Sequence, residues 1–142
     1  MKLATANKII EAAFVEGRAR NLAPLVCAVL DAGGNLISYQ REDGSGIVRF
    51  NIAFGKAWGS LGMGFGSREL TARTATQPHF VAALASISAG RAVPSPGGVL
   101  IADDAGNIIG AVGISGDTGD NDEAAALAGL AAVGLKGIPG KP

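Results

Sequence analysis

Four polar residues of this 142-residue chain have side chains suited to acid–base or electrostatic chemistry. His79 is the only histidine, and an imidazole can act as a general base near neutral pH. Lys56 lies in an apolar helical stretch, where its charge would attract an anionic ligand. Arg41 ends a predicted strand, and Asp122 lies at the start of the last predicted helix. We take these four as candidate catalytic residues, with exposure, snorkelling, surface solvation and helix capping as the respective structural alternatives.

Glycine-rich segments indicate a second kind of site. The chain contains 22 glycines, well above the ordinary usage of about 7%. Backbone N–H groups at residues 113–119 and at the start of the following helix are predicted to cradle an anion, such as a ligand carboxylate. The expected pocket lies between this loop, the helix at 50–58 and residues 96–98. Its predicted ligand-binding residues are Gly97, Gly98, Gly113, Ser115, Gly116 and Trp58. The alternative for the serine is a hydrogen bond to backbone.

Several familiar motifs are excluded. Residues 62–66 have the wrong spacing for a dinucleotide loop and follow a predicted helix rather than a strand. Residues 113–117 nearly match G-x-S-x-G but end in Asp117, and the single histidine, His79, is the only base available for a serine hydrolase, so that class is not predicted. A single cysteine, Cys27, and a single histidine exclude a cysteine-based or multi-histidine metal site within one chain. The acidic cluster around Asp120 lacks the spacing of an EF-hand, so no metal site is predicted.

The hydrophobic pattern predicts two β-hairpins and several helices that position these groups. Each hairpin has an Asp-Ala-Gly turn followed by Asn, and the two are expected to pair into one antiparallel sheet covered by helices. This arrangement is an α+β fold in one domain, 1–142, with 136–142 as a flexible tail. Asp120 is the predicted N-cap of the last helix, with Glu123 completing a capping box. The predicted strands are 25–30, 36–41, 99–102 and 108–114, and the main predicted helices are 4–20, 46–62, 77–89 and 120–135.

Charge and hydropathy narrow the classes of partner. Twelve basic residues balance twelve acidic ones, and a neutral chain is a poor candidate for binding nucleic acid. No stretch approaches the roughly 20 apolar residues that cross a bilayer, and no targeting signal is visible. We therefore expect a cytoplasmic protein that does not enter membranes. Low net charge favours self-association, so a homo-oligomer is predicted.

Ordered motifs along the chain resemble the GlcG/HbpS family, which includes the C-terminal domain associated with PduO-type corrinoid adenosyltransferases. They are residues 28–36, Arg41-x-Asp43-Gly44, Lys56-Ala57, residues 96–99, residues 109–116 and Asp122-Glu123. The resemblance implies a five-stranded antiparallel sheet flanked by helices, assembly into dimers to octamers and, in some members, heme binding.

This chain departs from that family at the residues that would hold heme. Axial ligands vary among heme-binding members and include a histidine near the N-terminus or a threonine. No histidine lies near this N-terminus, so no axial ligand is carried over. The usual Gly-Gly-Val-Pro motif is Gly97-Gly98-Val99-Leu100 here.

Two main functions follow. The first is an oligomer that binds a small molecule, with heme or another tetrapyrrole as the candidate ligand that the resemblance adds. The alternative is a cofactor-independent lyase, isomerase or hydratase that acts on a small organic acid or aromatic in a catabolic pathway, because such chemistry needs only one or two positioned groups. A purely structural assembly partner is a third hypothesis. The absence of a complete catalytic constellation places ligand binding slightly ahead of catalysis.

Overall fold

A five-stranded antiparallel sheet forms the centre of the structure, a computed structural model that describes residues 1–142. The predicted α+β fold is confirmed. The strands are β1 (Val26–Asp31), β2 (Leu36–Arg41), β3 (Gly98–Ala102), β4 (Ile108–Ser115) and β5 (Lys136–Ile138), in the order β2-β1-β4-β3-β5. The helices are α1 (Leu3–Ala19), α2 (Arg49–Met63), α3 (Ser67–Thr76), α4 (Pro78–Ile87) and α5 (Gly119–Ala132). None of them combines the length and apolar character needed to cross a membrane.

The two predicted hairpins close in the same way. Asp31 Oδ1 accepts a hydrogen bond from the backbone N–H of Asn35 at 2.9 Å. Asp103 Oδ1 accepts the equivalent bond from Asn107 at 2.8 Å. These side-chain bonds are local, and each joins an Asp to the Asn four positions later, so the repeated Asp-x-x-Gly-Asn segment specifies each hairpin by itself. Antiparallel pairing of β1 with β4 then joins the hairpins into one sheet.

The end of the chain supplies the fifth strand. Ile138 pairs with Leu100 as β5 runs antiparallel to β3, and the backbone N–H of Arg68 donates to the Pro139 carbonyl at 3.3 Å. Residues 136–138, which the sequence predicted to lie in a flexible tail, therefore form a strand of the sheet. A three-residue strand is too short to show a hydrophobic period. Its pairing depends on the open edge of β3, which the local sequence does not reveal.

Hydrophobic cores cover both faces of the sheet. On one face Cys27 and Val29 of β1 pack among residues of α1 and α5. On the other face Ala28 and Leu30 pack against α2, which contributes Ala53. Burial on both faces explains why β1 is a continuous apolar run rather than an alternating one.

The start of α5 differs from the prediction. Thr118, not Asp120, is the N-cap residue, and its Oγ1 accepts a hydrogen bond from the backbone N–H of Asn121 at 3.3 Å. Glu123 does not complete a capping box, because both of its carboxylate oxygens accept hydrogen bonds from Arg68 Nε at 3.0 Å. A long-range ion pair has replaced the local contact that the sequence pattern predicted.

Candidate functional site

A buried ion pair joins α2 to the first turn of α5. Lys56 Nζ lies 2.8 Å from Asp122 Oδ2, and the two side chains are 2% and 1% exposed. Lys56 Nζ also donates to the carbonyl of Ile114 at 2.9 Å. Asp122 Oδ1 accepts a hydrogen bond from the backbone N–H of Asp117 at 2.9 Å. The fold thus brings together two of the four predicted catalytic residues, which are 66 positions apart in the chain.

Burial opposes the charge on both members of this pair. Desolvation lowers the pKa of Lys56, and the neighbouring Asp122 carboxylate acts in the opposite direction. Desolvation likewise raises the pKa of Asp122, and the Lys56 ammonium opposes that shift. No buried side-chain nitrogen or oxygen lacks a hydrogen-bond partner. The polar atoms of both side chains therefore have hydrogen-bond partners within the protein, and the ion pair links α2, β4 and α5.

The predicted ligand-binding glycines lie directly against other backbone segments. A Cβ atom at Gly98 would stand 2.2 Å from the carbonyl oxygen of Lys56, and one at Gly113 would stand 1.9 Å from that of Ala53. A Cβ atom at Gly116 would also lie 2.2 Å from a carbonyl oxygen. Real Cβ atoms do not approach so closely, so these glycines allow α2 and the segment before β1 to pack against the β3–β4 hairpin and the turn after it.

The other residues of the predicted anion cradle are also engaged within the protein. Gly97 has φ +118°, a backbone conformation that favours glycine. Ser115 is fully buried, and its Oγ accepts a hydrogen bond from Arg49 Nη1 at 3.2 Å. The backbone N–H of Asp117 donates to Asp122. None of the four cavities in the structure is lined by the four predicted glycines. Trp58, the remaining predicted ligand-binding residue, lines two of these cavities.

Three polar residues that carry no sequence motif complete the surroundings of the ion pair. Arg49 donates a hydrogen bond to Ser115 at the end of β4. Ser67 Oγ accepts a hydrogen bond from the backbone N–H of Gly98 at 2.7 Å. Arg68 binds Glu123 and so holds α3 to the start of α5. Their partners lie 31 to 66 positions away in the chain, so no local spacing could have identified them.

The remaining predicted residues have no hydrogen bond or ionic contact with the ion pair. His79 is exposed in the first turn of α4. Arg41 is exposed at the end of β2, and its guanidinium donates to the carbonyl of Ser45. Trp58 is half-buried on α2, with the guanidinium of Arg91 lying 4.3 Å from its ring centroid. The four predicted catalytic residues therefore do not converge on one centre.

An open groove of about 440 Å³ lies beside Arg41, between α1, the segment before β1 and the end of β2. A depression of about 520 Å³ shares two of its residues and adds Val15, which is 70% exposed. We call the combined surface the α1 groove. It is lined by Glu11, Phe14, Val15, Arg18, Pro24, Gln40, Arg41, Glu42 and Asp43. One part is mainly apolar, with Glu11 at its edge, and the other carries the guanidinium groups of Arg18 and Arg41 together with the carboxylates of Glu42 and Asp43.

The two arginines of the α1 groove have different partners. Arg18 Nε lies 2.9 Å from Glu42 Oε2, so its charge is compensated. The other oxygen of Glu42 accepts a hydrogen bond from the backbone N–H of Leu25 at 2.8 Å. Arg41 has no carboxylate within ion-pair distance. Its guanidinium is therefore available to an anion that enters the groove.

Comparison with known proteins assigns the family. The family described as haem degrading protein HbpS-like matches residues 1–131. The chain belongs to this HbpS-like family. The resemblance seen in the sequence motifs is thereby confirmed, and the five-stranded sheet that it implied is present.

Individual proteins and solved structures are similar to this chain over most of its length. An uncharacterised 15.0 kDa protein from the dhaT-dhaS intergenic region of Citrobacter freundii is 33% identical over 80% of this chain and 78% of its own. The crystal structure of a PduOC:heme complex superposes with a TM-score of 0.85, at 26% identity and 96% coverage of both chains. A double mutant of HbpS from Streptomyces reticuli gives a TM-score of 0.81, at 28% identity, covering 94% of this chain and 87% of its own.

Proposed function

We propose that this HbpS-like protein binds a small amphipathic anion, and that heme or another tetrapyrrole is the ligand class with the best support. The observation that carries the proposal is the likeness, over 96% of both chains, to a protein solved as a heme complex. Family membership over residues 1–131 supports the same class.

The α1 groove matches the chemistry of such a ligand. Phe14 and the exposed Val15 offer an apolar surface on which a planar ring would pack. Arg41 lies at the polar end, where its unpaired guanidinium would bind a carboxylate in a charge-assisted hydrogen bond. The volumes of its two parts, about 440 and 520 Å³, each lie within the range of about 300–1,000 Å³ that ligand pockets commonly have. This combination of size, apolar surface and free cation is the reason for placing the ligand here.

The residues of the groove fit the ring and its carboxylates, but they do not fit an iron atom that needs an axial ligand. Histidine, cysteine, methionine and tyrosine commonly bind heme iron, and neither these residues nor a threonine line the groove. The single histidine, His79, lies on α4, and Cys27 is fully buried in the core. We therefore assign no residue of this chain to the iron, and the proposal rests on ring packing and carboxylate binding.

The enzymatic alternative has weaker support from the geometry. Lys56 and Asp122 are almost completely buried and bonded to each other, and no cavity is lined by either of them. His79 lies on a separate helix. A general acid or base must reach the proton that it transfers, and these residues do not share a surface at which a substrate could meet them.

The test is a titration of the purified chain with heme and with metal-free protoporphyrin, followed by the absorbance of the porphyrin. Both are expected to saturate near one equivalent per chain, because neither binding mode uses an iron ligand. Arg41→Glu should weaken the binding of heme and of protoporphyrin by at least about tenfold, because a carboxylate replaces the cation that would bind the ligand carboxylate.

Lys8→Glu is the matched control, since it makes the same charge change at an exposed position of α1 outside the groove. Absence of any spectral change at stoichiometric porphyrin would contradict the proposed function. Equal weakening by Arg41→Glu and Lys8→Glu would contradict the location, because it would indicate a general charge effect.

A further inference from the structure

We propose a second ligand site, beside Trp58, that takes a small single-ring aromatic carboxylate. The site lies on α2, and the α1 groove lies on the opposite face of the sheet. It therefore stands independently of the function proposed above. Its support comes from a cavity, from a glycine that packing does not require, and from an unpaired guanidinium at the cavity rim.

The cavity lies between α2 and α4 and has a volume of about 200 Å³. A cavity of about 150 Å³ holds one benzene ring, so this space suits a single aromatic ring and not a larger ring system. Its walls are mainly apolar, and they are formed by Trp58, Gly59, Gly62, Met63, Leu84, Ile87, Ser88 and Ala92. A smaller cavity of about 170 Å³ also borders Trp58 and Gly62.

Gly62 keeps this space open without a packing reason. A Cβ atom there would meet only the Trp58 ring, at an ordinary contact distance of 3.8 Å. By contrast, a Cβ atom at Gly55, on the same helix, would stand 2.5 Å from the carbonyl oxygen of Arg91. Glycine is a poor helix former, so Gly62 weakens α2 and gains no closer packing. What it provides is the open volume beside Trp58, because both cavities border it.

Arg91 supplies charge complementarity for a carboxylate. Its Cζ lies 4.3 Å from the centroid of the Trp58 ring, in a cation–π contact. Its Nε donates to the carbonyl of Ser88, and no carboxylate of the chain pairs with it. Trp58 and Ser88, the two residues that the guanidinium contacts, both line the cavity, and on that basis we place the guanidinium at its rim. An aromatic ring in the cavity would bring a carboxylate substituent to this unpaired cation.

Trp58 makes the site directly observable, because it is the only tryptophan in the chain. The experiment titrates the full chain with benzoate and follows Trp58 fluorescence together with the single indole N–H signal in an NMR spectrum. Both signals should change saturably and with the same midpoint. Benzyl alcohol, which has the ring without the charge, should bind at least about tenfold more weakly.

Three variants test the parts of the site. Arg91→Gln should weaken the binding of benzoate by at least about tenfold and leave the affinity for benzyl alcohol unchanged. Gly62→Leu should abolish binding of both, because the side chain fills the cavity. Gly62→Ala adds a single methyl group without a clash, so it should fold even if the leucine variant does not, and it should weaken benzoate measurably. Circular dichroism confirms that each variant is folded.

Three results would overturn the inference. They are the absence of a saturable Trp58 signal with benzoate, equal affinity for benzoate and benzyl alcohol, and benzoate binding that the Gly62 variants leave unchanged. The outcome is separable from that of the proposed function. Arg41→Glu should leave benzoate binding unchanged, and Gly62→Ala should leave the porphyrin titration unchanged.

Discussion

At the scale of single residues, the structure uses its buried charges to hold segments together. Lys56 has the largest fully buried side chain in the protein. It lies against Asp122 and the carbonyl of Ile114, and thereby connects a helix, a strand and the start of a second helix. Two charges are costly to remove from water, and their mutual attraction repays that cost only when every polar group has a partner. This requirement is met here.

The first prediction concerns Lys56→Met. We expect it to lower the free energy of unfolding by about 3–5 kcal/mol, because the carboxylate of Asp122 is left buried and unpaired. Adding Asp122→Asn should recover part of the lost free energy of unfolding, because it removes the unpaired charge. Urea unfolding measures both changes. The control is Arg20→Gln, which breaks the exposed pair with Glu16 and should cost less than about 1 kcal/mol. Similar losses for Lys56→Met and Arg20→Gln would contradict the argument.

The second prediction concerns pH. The pKa of Asp117 is lowered to about 2 by hydrogen bonds from the Asn121 side chain and the backbone of Ala23 and Thr118. The folded pKa of Asp117 lies below the unfolded value of about 3.9. The hydrogen bonds to its ionised carboxylate therefore add to the free energy of unfolding, and this stabilisation is fully present above pH 4. It is lost as the pH falls through the folded pKa.

Asp117→Asn should therefore destabilise the protein by about 1 kcal/mol at pH 7, and the difference from the unmodified chain should shrink as the pH approaches 2. Urea unfolding at a series of pH values measures this. Asp104→Asn, at an exposed position, is the control and should have little effect at any pH. A constant difference between Asp117→Asn and the unmodified chain across the series would refute the assignment.

At the scale of elements, glycine determines how closely α2 packs on the sheet. The backbone of β4 at Gly113 meets the backbone of α2 near Ala53, and no side chain fits between them. Gly98 of β3 makes a similar contact with Lys56. A glycine within a strand often allows a ligand or another backbone segment to approach closely. In this fold it is another backbone segment that approaches Gly98 and Gly113.

The third prediction tests this packing with Gly113→Ala. The added methyl group would stand 1.9 Å from the Ala53 carbonyl oxygen, so α2 and β4 must separate. We expect a loss of at least about 1–3 kcal/mol, as for an overpacked core. Thermal unfolding measures it. Gly46→Ala is the matched control, because its Cβ atom would have an ordinary contact of 3.6 Å with Arg49. Unchanged stability of Gly113→Ala would show that the contact is not required.

At the scale of the whole molecule, the surface retains features that favour self-association. The sheet ends on one side at β2, which leaves unpaired backbone groups along an edge. Ile47 and Val48, which follow β2 in the chain, are 92% and 55% exposed. The net charge of zero does little to keep copies apart.

The fourth prediction is that the protein forms a homo-oligomer in solution. Native mass spectrometry should show dimers or larger species, and Ile47→Glu should shift the distribution towards monomer, because it places a charge on an apolar contact. Leu3→Glu, which alters another exposed apolar residue on α1, is the control and should leave the distribution unchanged. A single monomeric species for the unmodified chain would contradict the prediction.

Much of the fold was predictable because its signals are local. The Asp31 and Asp103 turns close through bonds to residues four positions away, so two hairpins follow from short segments. The candidate site was predictable only in part. Lys56 was selected as a charge in an apolar helical stretch and Asp122 as an acidic residue at the start of the last helix, but no local signal showed that they would be bonded to each other.

The sequence by itself determined the hairpins, the α+β class and the motifs of the HbpS-like family, because each of these depends on the pattern of residues within short segments. The excess of glycine is likewise a property of the sequence alone. Tertiary structure decided the rest. Only long-range packing showed that β5 pairs with β3, that the glycines at 97–98 and 113–116 face protein backbone, and that Arg91 lies over Trp58. The physical reason is that such contacts join residues whose separation in the chain carries no periodicity, so they exist only once the sheet and its helices have assembled.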